Sequence, residues 1–250
     1  MQDYDGTVAL VTGGGMGIGE ACVTELAGRG ARVVVADQDE AQAERVAAAV
    51  REAGGSAVGV RADVADEADC AAMVDAALDA YGRLDVAVNN AGIGGRRGPV
   101  GDLSLADWRA TLAVNLDGAF LSMREELRAM VPQGAGAIVN IGSIQSSVAL
   151  PDTAAYTASK HGLLGLTRSA AIDYAQAGIR VNCVGPGVIA TPSLLAKVTP
   201  QMRAEFEGLH PSGRMGEPQE IARLVAFLGS PQASNITGAY YLADGGYTAQ

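Results

Sequence analysis

Tyr156 and Lys160 stand four residues apart, and Ser143 lies thirteen residues before the tyrosine. On a helix such a pair shares one face, so a phenol and an ammonium can lie side by side. A phenol titrates near ~10, too high to act as a base at neutral pH. An ammonium ~4 Å away, at an effective dielectric of ~20, is worth about 4 kcal/mol, enough to let a phenol both take and give a proton near neutrality. Burial opposes this, so the lysine must outweigh desolvation. A serine hydroxyl beside the pair can donate to an oxygen that is gathering alkoxide charge. The chemistry on offer is proton transfer at a carbinol or carbonyl oxygen. Taken alone, a YxxxK pair is also what a solvated helix face displays, so the surrounding elements decide its meaning.

A second set begins at Thr12. The run Gly13-Gly14-Gly15-Met16-Gly17-Ile18-Gly19 joins a β-branched segment, Val8 to Thr12, to a helical pattern near 17–29. A pyrophosphate needs a reversing turn, backbone without Cβ atoms and free N–H groups at a helix start, and Gly13, Gly15, Met16, Gly17, Ile18 and Gly19 can supply them. The spacing is GxxxGxG, so the GxGxxG template is not met. Eighteen residues after Gly19 the next β-branched run ends at Asp37, where a carboxylate can accept both ribose hydroxyl protons and repel a 2′-phosphate. Alternatively, Asp37 or Asp39 caps the next helix. No Arg or Lys lies in 12–19 or 37–41 to welcome a 2′-phosphate, which favours NAD over NADP. Asp63, followed by Val64 at the end of the third run, either approaches an adenine edge or caps a helix.

Positioning these groups requires a particular frame. Short β-branched runs near 8–12, 32–36, 57–61, 85–89, 137–141, 179–184 and 239–242 alternate with helical patterns near 17–29, 39–53, 66–81, 104–130, 154–177 and 217–229. That alternation predicts a single α/β domain with a parallel sheet covered on both faces. In such a sheet ligands gather at the carboxyl ends of the strands, where the glycine turn, Ser143 and Tyr156 would meet. Asn115 interrupts a helical apolar pattern and is either a helix-bending group or a site residue holding water. Residues 188–215, rich in proline, predict a lid.

Composition narrows the function classes. Glycine accounts for 33 of 250 residues, and only 18% are charged, against about 25% in an average chain. A formal charge of −10 without a basic patch argues against nucleic acid. No apolar run approaches the ~20 residues of a membrane span, and the acidic N-terminus lacks the basic start of a signal peptide. Cys22, Cys70 and Cys183, odd in number and far apart, point to buried thiols in a reducing, cytoplasmic compartment. His161 and His210 have no ligand spacing, so no metal site is expected; His161 is read as a packing residue and His210 as exposed. The Arg96-Arg97 pair is either a solvated loop feature or a handle for a substrate carboxylate or a phosphopantetheine arm.

Together these residues resemble the short-chain dehydrogenase/reductase family over essentially the whole chain. The resemblance rests on the glycine turn, Asn89-Asn90-Ala91-Gly92, Asn115, Ser143, Tyr156 to Lys160, Pro186-Gly187, Thr191, and the segments Ile236 to Gly238 and Asp244 to Gly246. It implies a Rossmann-type, doubly wound sheet of about seven strands and an Asn115-Ser143-Tyr156-Lys160 tetrad. It further implies that Asn90, Ala91, Gly92, Pro186, Gly187, Val188 and Thr191 join the cofactor site. Family members are usually tetramers, and Gly162, Gly165, Ala170 and Ala171 would let a symmetry mate approach the Tyr156 helix. Ser143, Gln145, Tyr156, Ile93, Val188, Leu194 and Leu195 are expected around the substrate, with Ile144, Leu150, Met202, Phe206 and Leu209 as further walls. The reading is an NAD-dependent secondary alcohol dehydrogenase acting on a small alcohol or ketone. The alternatives are a 3-oxoacyl carrier-protein reductase and a non-catalytic NAD-binding regulator.

Overall fold

The computed structural model describes residues 3–250. Seven strands, β1 (Val8–Thr12), β2 (Arg32–Asp37), β3 (Ser56–Arg61), β4 (Val86–Asn89), β5 (Gly136–Ile141), β6 (Ile179–Pro186) and β7 (Tyr240–Ala243), form one sheet in the order β3-β2-β1-β4-β5-β6-β7. Every pairing is parallel. The central strands are buried on both faces, which is why they read as continuous apolar runs. In β1, Ala9 and Val11 face one core while Val8 and Leu10 face the other.

Helices α1 (Gly17–Gly28), α2 (Glu40–Glu52) and α9 (Pro218–Gly229) cover the first face; α3 (Glu67–Tyr81), α5 (Gly118–Gln133) and α6 (Ala154–Tyr174) cover the second. The expected helix near 104–130 is broken. It consists of α4 (Leu105–Leu112), a wider π turn over Ala113–Asp117, and α5. Two short helices, α7 (Pro192–Leu195) and α8 (Pro200–Gly208), build the lid, each begun by a proline after a threonine whose hydroxyl caps it. No helix among the described residues is long and apolar enough to cross a membrane.

Two expectations are corrected. The small residues of α6 are largely spent inside the chain: a Cβ on Gly162 would come within 2.9 Å of Leu116, and Ala170 and Ala171 belong to the core. His161 is exposed rather than packed. The three cysteines are buried and unpaired, as expected. Burial pushes the Cys22 thiol up to about 12 and the Cys183 thiol up to about 11, so both stay protonated fillers.

A polar ladder crosses the second core. Asn89 Nδ2 donates to Glu126 Oε2 (3.1 Å) and to Asn140 Oδ1 (3.0 Å), and Asn140 Nδ2 donates to Thr167 Oγ1 (2.9 Å). Glu126 is fully buried, and burial pushes its carboxyl up to about 8 against the opposing pull of the Asn89 hydrogen bond. Glu126 Oε1 and Asn89 Oδ1 have no hydrogen-bond partners among the described residues. A proton on the acid supplies a donor to a pair that otherwise presents two unmatched acceptors. Because the folded state holds this proton more tightly than the unfolded chain does, its stabilising share is complete below the unfolded pKa and is lost as pH rises toward about 8. Glu126→Gln therefore gains stability relative to the parent chain as pH is raised from about 5 to 9. Melting temperatures across that range check this; parallel curves would refute it.

Candidate active site

A parallel sheet brings all its strand ends to one edge, and here the order switches between β1 and β4, which opens a crevice. A cleft of about 1170 Å³ lies along it, lined from the glycine turn through Asp37, Asp63 and Asn90–Gly92 to Ser143, Tyr156, Lys160, Pro186–Val188 and the lid. Asn90 Nδ2 donates to the carbonyls of Thr12 and Gly13 (both 3.0 Å), while Thr12 Oγ1 accepts from the Asn90 and Ala91 amides at 3.1 and 3.2 Å. The ends of β1 and β4 are thus tied by side chains where the ladder stops.

The glycine turn is shaped by sterics. Gly13 and Gly17 have φ of +59° and +58°, a region costly for residues with a Cβ. A Cβ on Gly19 would strike the Gly13 carbonyl oxygen and come within 2.6 Å of Asn90 Nδ2. Gly13, Met16, Gly17 and Ile18 line the cleft, whereas Gly15 and Gly19 support it from behind. Gly15 N–H donates to Asp37 Oδ2 at 2.9 Å. The capping role falls to Asp39, whose side chain accepts from Ala41 and Gln42 at the start of α2. Asp37 is left buried at the cleft, also accepting from the Asp39 amide. Asp63 accepts from Ala65 N–H and lines the same end, beside Val64, and Asp66 caps α3.

At the other end, Tyr156 is half-buried in the first turn of α6 and Lys160 is buried one turn on. Lys160 Nζ donates to the Ile141 carbonyl (2.8 Å) and sits 5.7 Å from the centre of the Tyr156 ring. A Cβ on Gly92 would lie 3.6 Å from that Nζ. Ser143 Oγ accepts from Gln145 N–H (3.1 Å), which leaves its own proton to donate. The expected phenol, ammonium and hydroxyl therefore border one cleft. Asn115 stands behind it in the π turn: its Oδ1 accepts from Ile93 N–H (2.8 Å) and its Nδ2 donates to the Ile93 carbonyl (2.9 Å) and to Ser159 Oγ (3.2 Å). Such single wide turns recur at functional sites.

The substrate end is mostly apolar, with Ile93, Ile144, Leu150, Val188, Leu194 and Phe206 lining it. Gln145 lines it too, its carbonyl already accepting from Thr153 and Thr157 hydroxyls at 2.7 and 2.6 Å. Leu195, Met202 and Leu209 do not line the cleft; they lie on the outer side of the lid and are 38–42% exposed.

Three residues with a part in the site escape sequence reasoning. Arg45 lines the glycine-turn end, with its guanidinium spent on Glu20 (2.9 and 3.0 Å) and the Gly15 carbonyl (2.8 Å). Tyr240 donates to the Ser143 carbonyl (2.5 Å) from β7. His210, expected to be exposed, is 3% exposed. Its Nδ1 pairs with the Phe206 carbonyl at 2.7 Å and its Nε2 with Val188 N–H at 3.2 Å. The carbonyl can only accept and the amide only donate, so the proton sits on Nδ1.

A family profile described as enoyl-(acyl carrier protein) reductase matches residues 13–248. The chain belongs to the short-chain dehydrogenase/reductase family. It is 42% identical to a cyclohexanol dehydrogenase from an Acinetobacter species, covering 99% of this chain and 97% of that protein. It is 46% identical to a cis-4-hydroxycyclohexanecarboxylate dehydrogenase from Sinomonas cyclohexanicum, over 97% and 96%. The crystal structure of levodione reductase superposes with a TM-score of 0.94 at 37% identity, covering 98% of this chain and 99% of that one. This short-chain dehydrogenase is accordingly an oxidoreductase of alcohol CH–OH groups, of a family that uses nicotinamide cofactors.

The crowding at Gly19 generates a prediction. Gly19→Ala forces the turn open, so the thermal upshift caused by saturating nicotinamide dinucleotide should vanish in the variant. Scanning fluorimetry with and without cofactor checks this; an undiminished upshift would show that the turn does not hold the cofactor.

Proposed function

We propose that the chain is an NAD-dependent dehydrogenase of medium-sized apolar or cyclic secondary alcohols, with Tyr156 as its acid–base group. The observation that carries this reading is that Tyr156, Lys160 and Ser143 border the same cleft as the glycine turn and Asp37. The residues fit a nicotinamide dinucleotide: Gly13 and Gly17 provide a turn without Cβ atoms, and Asp37 offers a carboxylate where a ribose would lie. A nicotinamide dinucleotide held by these residues would supply the hydride chemistry.

This chain's residues handle the proton and the oxygen. Tyr156 takes the carbinol proton during oxidation and returns it during reduction. Lys160, held by the Ile141 carbonyl, stands one turn on from the phenol with its Nζ 5.7 Å from the ring centre. Ser143 donates to the substrate oxygen, its hydroxyl oriented by the Gln145 amide and its carbonyl fixed by Tyr240. Asn115 steadies Ile93 at the pocket wall. Gly92, Pro186, Gly187 and Thr191 border the nicotinamide end, where His210 occupies the Val188 amide.

Asp37 supports NAD because its charge repels a 2′-phosphate. Arg45, the nearby cation, is committed to Glu20. The apolar walls and the ring substrates named for two relatives support a cyclic alcohol. Leu105, Phe120 and Ile172, on α4, α5 and α6, are 61, 46 and 79% exposed, which supports a homotetramer packed through those helices.

Tyr156→Phe should cut turnover of cyclohexanol by about a hundredfold or more while NADH affinity, read by fluorescence, stays within a few-fold. Ordinary turnover by the phenylalanine variant would overturn the acid–base assignment. Asp37→Asn removes the charge and can keep only one of the two amide hydrogen bonds that the carboxylate accepts, so the NAD over NADP preference in kcat/KM should shrink by about tenfold. An unchanged ratio would overturn the ribose assignment. A carrier-protein reductase would instead prefer NADPH, and a regulator would bind NADH without turning over any alcohol.

A further inference from the structure

The Arg96-Arg97 pair does not act as a unit. Arg96 turns away to Asp107, at 3.5 Å, and Asp107 is itself held by the Ser104 hydroxyl that caps α4. Arg97 lines the cleft instead. The loop carrying it is fixed on both sides. Gly95, at φ +70°, packs on the buried Thr111 so closely that a Cβ would clash with it. Gly98 bridges to Thr153 and donates to the Asp152 carbonyl at 3.0 Å.

Three cations line the cleft: Arg45, Arg97 and Lys160. Arg45 is neutralised by Glu20, and Lys160 serves the Tyr156 end and the Ile141 carbonyl. The lining carboxylates, Glu20, Asp37 and Asp63, all lie at the glycine-turn end. Among the described residues the exposed Arg97 has no ion-pair partner, and its loop meets Thr153, which holds Gln145 on the substrate side of the cleft. In a chain of net charge −10, this uncompensated guanidinium and the Lys160 ammonium are the local attractions for an anion among the described lining residues.

Resting on the reading of this cleft as a secondary alcohol dehydrogenase site, we propose that Arg97 recognises a carboxylate on the substrate, whose class is then a hydroxycycloalkane carboxylate or the matching ketone. A single guanidinium fork matches one carboxylate and one negative charge. A phosphate dianion would find Arg96 already drawn off and the Asp107 charge nearby. Arg97 is a specificity residue and takes no part in the proton transfer.

The test measures binding, so it does not depend on turnover. The protein, saturated with whichever nicotinamide dinucleotide it binds, is titrated calorimetrically with cyclohexanecarboxylate and with cyclohexanecarboxamide. The carboxylate should bind about tenfold tighter, and the preference should narrow as salt is added. Arg97→Gln should erase the preference and Arg97→Lys should keep part of it, which a merely structural role for Arg97 would not produce. Equal affinities in the parent protein would overturn the proposal, as would a preference that survives Arg97→Gln, since the anion would then sit on Lys160. Failure of the dehydrogenase reading shows separately, as absent cyclohexanol turnover despite an Arg97-dependent preference.

Discussion

The site depends on how two strand ends are joined. Where β1 and β4 stop, the sheet has backbone groups left over and no further strand residue to satisfy them. Thr12 and Asn90 take up those groups with four hydrogen bonds. Without them the crevice edge would carry unpaired polar atoms, each costing about 1–3 kcal/mol when buried. With them, the glycine turn and Gly92 are set in register at opposite lips of one cleft. Every other part, from Asp37 at one end to Lys160 at the other, is placed relative to that knot.

Most of the fold was legible because it rests on local pattern. Buried parallel strands show as short β-branched runs, and each observed strand falls within two residues of its expected span. The helix near 104–130 was misread as continuous because its interruption is a change of hydrogen-bond register, which residue types do not announce; Asn115 was its only mark. The lid apolars had a helical spacing, and α8 is indeed a helix. Spacing cannot tell which side of a helix meets the protein, and Leu195, Met202 and Leu209 face out.

The glycine turn, Ser143, Tyr156 and Lys160 were legible because their chemistry lies in residue type and short spacing. Arg45, Tyr240, His210 and Glu126 were not. Their partners lie 25, 97, 22 and 37 residues away, and a type such as Tyr or Glu carries no sign of which distant atom it will meet. Arg45 matters most here. It lies outside the stretches flanking the glycine turn and Asp37 in sequence, yet α2 delivers it to the cleft. Its bidentate pairing with Glu20 keeps the guanidinium from standing free at the Asp37 end of the cleft.

The same logic separates the rigid from the movable parts of the cleft. The sheet side is held by buried strands and by the polar ladder through Asn89 and Asn140. The lid is held differently: α7 and α8 contribute no fully buried side chain, so little apolar burial resists their opening. His210, buried and bonded at both ring nitrogens, ties Phe206 at the end of α8 to Val188 where the chain leaves β6. A single imidazole, donating from Nδ1 and accepting at Nε2, thereby spans the base of the lid. The end of α8 and the backbone at Val188 are consequently joined through one side chain.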